Sequence, residues 1–173
     1  MRGLLFTLFL LAATSVQAQT KVGYTNVELI MYYMPEAKSA SAALEEFKKV
    51  KAELYTKKQT RYAELIEEYQ EKAGQPNFSG SQEETDLMNE ASKLEKEIKE
   101  TETSFEFEVT RKQAQLLEPV MNKLQEAIDA VAVEEGYTYI LNQTSGSNIL
   151  YGVEQFDVTK KIAAKLSIEI PDE

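Results

Sequence analysis

The chain has 173 residues, with 19 Lys+Arg against 29 Asp+Glu for a formal charge of −10, and it contains no Cys, His or Trp. Those absences exclude a thiol nucleophile, a disulfide, a zinc site of the usual N/S kind and a Ser-His-Asp triad, and they remove the side chain best suited to proton transfer near neutrality. The acidic balance argues against nucleic acid, whose phosphates attract clustered Lys and Arg.

The first residues read as a targeting segment. Met1 and Arg2 precede an apolar run from Leu4 to Ala13, and Val16-Gln17-Ala18 places small residues at the −3 and −1 positions of a cleavage site. This is the pattern of a secretory signal peptide over residues 1–18, cut after Ala18, with Gln19 as the first mature residue. The apolar run is about half the 20 or so residues that a bilayer span requires. Losing Arg2 leaves 18 bases against 29 acids, a mature charge of −11. An exported chain without cysteine folds without an oxidant, which suits a bacterial periplasm.

Val22-Gly23-Tyr24-Thr25-Asn26 follows as a short strand. From Pro35 to Pro119 the sequence is rich in Ala, Glu, Lys, Leu and Gln, all good helix formers. The octet Gly74-Gln75-Pro76-Asn77-Phe78-Ser79-Gly80-Ser81 interrupts it once and reads as a turn. Pro35 suits a helix start, where a missing N–H costs nothing. Glu36 to Ala73 spans 38 residues and Gln82 to Glu118 spans 37. Equal arms around a short turn predict an antiparallel helical hairpin over 35–118, each arm about 55 Å long with its tip at 74–81. Val120, Leu124, Ile128 and Val131 keep a helical period, so the second helix is expected to continue past a kink at Pro119.

The expected seam alternates four- and three-residue steps. On the second arm it runs through Leu87, Ala91, Leu94, Ile98, Thr101, Phe105, Glu108 and Lys112; on the first, through Ala40, Leu44, Phe47, Lys51, Leu54 and Lys58. So many polar positions predict arms that hold together but bend and splay. Tyr55, Tyr62, Tyr69, Phe78 and Phe107 lie off this seam; with Phe47 they are candidate contacts for an apolar client, although packing across the hairpin would also account for them. Charge is uneven: residues 62–92, around the tip, carry a net −7, and residues 48–61 carry +5.

The remainder predicts a small β-rich body from 19–34 together with 119–173. Tyr137–Asn142 and Asn148–Gly152 read as two strands, and Asp157 can cap a short helix bearing Val158, Ile162, Ala163 and Leu166. Three short strands and a short helix are too few for an independent core, so either they sit on the kinked helix base or copies combine; association through residues such as Val22, Tyr24, Tyr139, Ile140, Ile149 and Tyr151 is the preferred expectation, because it removes exposed sheet edges. The fold class is therefore α+β, mostly α, with a long antiparallel hairpin on a small β body formed by oligomerisation.

The order of these segments resembles the Skp/OmpH family, the periplasmic chaperones of outer-membrane proteins. The match is carried by Val22-Gly23-Tyr24-Thr25-Asn26, by Gly136-Tyr137-Thr138-Tyr139-Ile140-Leu141-Asn142, by Ile149-Leu150-Tyr151-Gly152 and by Asp157-Val158-Thr159-Lys160-Lys161-Ile162. The resemblance implies a homotrimer whose strands form the body, with three hairpins projecting like tentacles around an unfolded outer-membrane β-barrel protein. Such a chain exposes alternating apolar strands that aggregate in water. No nucleotide motif is present, so the expected activity is an ATP-independent holdase that prevents aggregation and aids delivery to the outer membrane. Well-known members are basic, and the acidity of this chain argues against lipopolysaccharide as a partner. The −7 tip would make neighbouring tips repel and hold the mouth of the trimer open. A structural or adaptor coiled-coil protein of the envelope, binding one folded partner, is the alternative. No catalytic residue, cofactor or metal is expected, since the many carboxylates lie along solvated helix faces without a pocket to shift their pKa values.

Overall fold

A computed structural model describes residues 20–144 and 146–171. The signal segment at 1–18 lies outside the described residues. In chain order the elements are strand β1 (Val22–Thr25), helix α1 (Val27–Tyr33), helix α2 (Pro35–Lys72), helix α3 (Gln82–Glu135), strand β2 (Tyr139–Asn142), a 3-10 turn (Glu154–Phe156) and helix α4 (Thr159–Lys165). No helix among the described residues is long and apolar enough to cross a membrane. The chain forms two compact units, one from residues up to Met31 together with Leu124–Glu173, the other from Tyr32–Lys123.

In the first unit β1 and β2 pair in parallel, with Val22 opposite Tyr139 and Thr25 opposite Asn142. On the other side of β1, Val158 N–H donates to the Tyr24 carbonyl at 2.9 Å, and Tyr24 bridges Asp157. β1 is thus the middle of three extended segments. Ile30, Leu124, Val131, Val158 and Ile162 are almost completely buried and make the core. Thr25 and Thr159, also buried, satisfy each other through their hydroxyls at 3.3 Å. The end of α3 is fixed by Gly136 at φ 68°, which lets Tyr137 N–H reach back to the Ala132 carbonyl at 2.9 Å. α4 buries Thr159, Ile162 and Ala163 as its amphipathic pattern requires. Asp157 Oδ1 accepts the Thr159 N–H at 2.8 Å, so this carboxylate does engage the first turn, one residue ahead of the cap position itself.

Two expectations are corrected here. Asn148–Gly152 forms no strand. Leu150 is 96% exposed and Tyr151 is 82% exposed, so this β-rich sequence has nothing to pair with in a single chain. Residues 27–33, assigned to a β-rich stretch, form α1 instead, started by Asn26, whose Oδ1 accepts the Leu29 N–H at 2.9 Å.

The second unit is a helical hairpin. α2 begins with Pro35 at its first turn and runs 38 residues without a break. Residues 73–81 turn the chain, with Asn77 and Gly80 both in the left-handed region. Ser81 then caps α3, its Oγ accepting the Glu84 N–H at 3.1 Å. α3 passes through Pro119 and continues to Glu135, for 54 residues.

Candidate functional site

The candidate site is the contact between the two arms. Every one of the eight seam positions expected on α3 is half-buried, from Leu87 to Lys112. On α2, Ala40 is buried and Leu44, Phe47, Lys51 and Lys58 are half-buried, but Leu54 is 49% exposed. The seam instead steps four residues from Lys51 to Tyr55 and goes on through Lys58, Tyr62, Leu65, Tyr69 and Lys72. Three aromatics that the expected register leaves outside are therefore on the inter-arm face. The helix turns 100° per residue, so the three-residue step to Leu54 points about 100° away from Tyr55, and the two registers meet again at Lys58.

Polar groups carry much of the register. Lys51 pairs with Glu108, Lys58 with Glu97 at 2.9 Å, Arg61 with Glu90 at 3.0 Å and Lys72 with Glu83. As the residue number rises along α2 its partner's number falls along α3, which defines the antiparallel alignment. Near the other end of this unit the polarity reverses, with Lys123 of α3 on Glu36 of α2. The Tyr55 hydroxyl donates to Glu102, and the Tyr69 hydroxyl donates to Glu84 Oε1 at 3.0 Å. These pairs account for three of the six bases in the +5 stretch and offset part of the −7 tip, where Lys72 also holds Glu68 at 2.8 Å.

The electrostatics follow from those contacts. Hydrogen bonds from Lys58, Lys51 and Lys123 hold Glu97, Glu108 and Glu36 below the ordinary carboxylate range. Glu68 and Glu83 together push Lys72 up to about 12. The Tyr55 and Tyr69 hydroxyls are raised because each donates to a carboxylate. These groups are half-buried to exposed, so solvent screens each pair and none is strong by itself. The arms are joined by many weak, exchangeable contacts.

The structure disperses the six candidate aromatics. Phe47 is half-buried, with Lys51 and Lys112 lying over its ring. Phe78 is buried in the tip, edge-on to Tyr69 at 5.6 Å between ring centroids. Phe107 stands outside the seam, 68% exposed, with Arg111 over its face. Tyr55, Tyr62 and Tyr69 border two clefts between the arms. One, of about 360 Å³, lies toward the tip among Leu65, Ile66, Leu87, Met88 and Ala91; the other, of about 280 Å³, lies between Ala52, Tyr55, Thr101 and Phe105. Small residues at Ala91 and Ala52 leave these gaps. Sequence reasoning missed Leu65, Ile66 and Met88; continuing the α2 seam from Tyr55 would have found Leu65.

In the first unit the residues expected to associate copies lie on or beside the short sheet. Val22, Tyr139 and Tyr151 are exposed, while Tyr24, Ile140 and Ile149 are half-buried. Two paired strands are marginal in isolation, and the exposed Val22, Tyr139 and Tyr151 leave apolar surface uncovered in a single chain.

Comparisons with known proteins agree with this architecture. The family model described as outer membrane protein (OmpH-like) matches residues 21–166. A chaperone protein Skp of Pectobacterium atrosepticum is 25% identical over 156 residues, covering 90% of each chain. The chaperone protein Skp of Vibrio cholerae is 24% identical over 161 residues, covering 92% of this chain and 91% of that one. A crystal structure from Caulobacter crescentus, described as an OmpH-like outer membrane chaperone, superposes with a TM-score of 0.62 at 18% identity, covering 86% of this chain and 85% of the other. With two long antiparallel helices, a parallel strand pair and a family match from β1 to the end of α4, the chain belongs to the OmpH-like family.

Proposed function

We propose that this protein is an ATP-independent holdase of the periplasm that binds unfolded outer-membrane β-barrel proteins, keeps them from aggregating and aids their delivery to the outer membrane. The family match over residues 21–166, with relatives named as Skp chaperones over nine-tenths of the chain, carries this reading. The hairpin supports it physically. An unfolded barrel strand presents apolar side chains on alternate positions. Arms joined by weak solvent-facing pairs, with half-buried Tyr and Leu side chains at the seam, can adapt to many such segments without a single rigid pocket.

The working unit in this reading is a homotrimer assembled through residues 19–34 and 119–173, with each chain contributing the hairpin of residues 35–118. The exposed Tyr139, Leu150 and Tyr151 supply the surface that such an association buries. Mass measurement of the chain from Gln19, alone and mixed with an unfolded barrel protein, tests both parts. A trimer that takes up the client into a soluble complex supports the reading. A monomer that leaves the client to precipitate overturns it.

A further inference from the structure

The two faces of the hairpin differ. At 3.6 residues per turn, Tyr55, Tyr62, Ile66 and Tyr69 fall on one side of the α2 seam, and Arg61 and Glu68 fall on the other. On α3, Glu84, Met88, Glu95 and Glu102 share the tyrosine side, whereas Glu83, Glu90 and Glu97 share the ion-pair side. The contacts agree, because Glu84 and Glu102 take tyrosine hydroxyls while Glu83, Glu90 and Glu97 take Lys or Arg. One face is a neutralised ladder; the other holds the clefts, and among the described residues Glu84, Glu95 and Glu102 form no ion pair, with Lys99 one turn along α3 from Glu95 and Glu102.

The cleft toward the tip concentrates this difference. It is lined by Leu65, Ile66, Leu87 and Met88, with the small Ala91 and the carboxylate of Glu95 also on its lining. No Lys or Arg lines it. Met88 is among the exposed large hydrophobic side chains, and a thioether adapts to apolar groups of different shapes.

Resting on the holdase reading, we propose that this cleft selects extended client segments in which a Lys or Arg neighbours apolar side chains. In an extended chain residues two apart share a face and lie about 7 Å from each other. One apolar side chain can occupy the cleft beside Ala91 while a basic residue two positions away reaches Glu95. The long stem of Lys or Arg packs along Ile66 and Met88 while its head stays in water beside the carboxylate. An acidic client segment meets only like charge at the same edge. The chemistry selected is thus basic and apolar together.

Fluorescence anisotropy of the chain from Gln19 with two labelled peptides tests this. Both carry the same apolar residues, alternating with Lys in one and with Glu in the other. The lysine peptide is expected to bind about tenfold tighter at low salt, with the gap closing at high salt as screening sets in. Glu95→Gln should weaken the lysine peptide roughly threefold and spare the glutamate peptide. Ala91→Leu, which fills the gap, should weaken both. Glu95 is exposed, so its variant keeps the fold even if Ala91→Leu spreads the arms. Equal affinities for the two peptides, or lysine-peptide binding indifferent to both substitutions, overturn the proposal. If neither peptide binds while barrel-protein aggregation is still suppressed, this inference fails alone; if suppression is absent too, the holdase reading fails with it.

Discussion

The Tyr69 hydroxyl of α2 donates to Glu84 Oε1 of α3 at 3.0 Å, and the other oxygen of the same carboxylate accepts the Gly80 N–H at 2.6 Å. Glu84 therefore closes the hairpin and caps its second helix at once, while the Tyr69 ring packs on buried Phe78. Tyr69→Phe removes one hydrogen bond and keeps the ring contact, which should cost about 1 kcal/mol. Phe78→Ala removes the buried ring and should cost about 3–5 kcal/mol, felt as opening of the tip. Amide hydrogen exchange over residues 73–86 checks both: protection should fall modestly in the first variant and nearly vanish in the second. Equal protection in both would deny the ring cluster its role.

The same pairs set limits in pH. Glu36, Glu68, Glu97 and Glu108 have folded pKa values held below the ordinary 4.5. Their contribution is present above that unfolded value and is lost as pH falls through the lower folded values. Tyr55 and Tyr69 are raised above 10.0, and Lys72 is raised from 10.5 to about 12. Their contribution is complete below the unfolded values and is lost as pH rises through the folded ones. Thermal melts should therefore show a broad plateau between about pH 5 and 10, falling on both sides. A melting temperature that stays level down to pH 3 would show that the ladder contributes nothing.

The α2 register gives a sharper test. Leu65 is 1% exposed and Leu54 is 49% exposed, although both are leucines on the same helix. Leu65→Ala should cost about 2–4 kcal/mol, and Leu54→Ala less than about 0.5 kcal/mol. Urea denaturation of the two variants decides between the observed seam and one that passes through Leu54. Comparable losses would favour the latter.

Those leucines also show how far the sequence could be read. The α3 seam was legible because Leu87, Leu94, Ile98 and Phe105 mark it at regular steps. On α2 the expected positions hold at Ala40, Leu44, Phe47, Lys51 and Lys58 and miss at Leu54, because past Phe47 tyrosines and lysines largely replace aliphatic residues and the next buried aliphatic marker is Leu65. The decisive contacts there are Tyr–Glu and Lys–Glu pairs, and with so many acids on α3 the sequence alone does not choose among them. In the first unit, composition located β1 and β2 but misjudged Asn148–Gly152, because strand propensity describes a surface that needs a partner. The α1 helix was hidden by its length of seven residues, too short for a helical period to show. The clefts were illegible because they arise from what Ala52 and Ala91 leave empty.

Gly23 carries the last prediction. It sits in β1 opposite Ile140, and a Cβ built there would lie 2.8 Å from the Tyr137 ring and 3.2 Å from the Phe156 carbonyl oxygen. Tyr137 is buried and held from above by Lys21, whose ammonium lies 4.0 Å from the ring centroid. The Phe156 oxygen belongs to the turn leading into the Tyr24–Asp157 bridge, so neither neighbour moves without disturbing β1. Gly23→Ala should therefore cost about 1–3 kcal/mol through overpacking. The hairpin residues 35–118 have their own contacts and should keep their helicity, so circular dichroism at 222 nm should barely change while the Tyr137 environment does. If the homotrimer assembles through this sheet, the same variant should also dissociate at higher protein concentration than the parent. A Gly23→Ala chain with unchanged stability would mean that the Tyr137 ring is not fixed against β1.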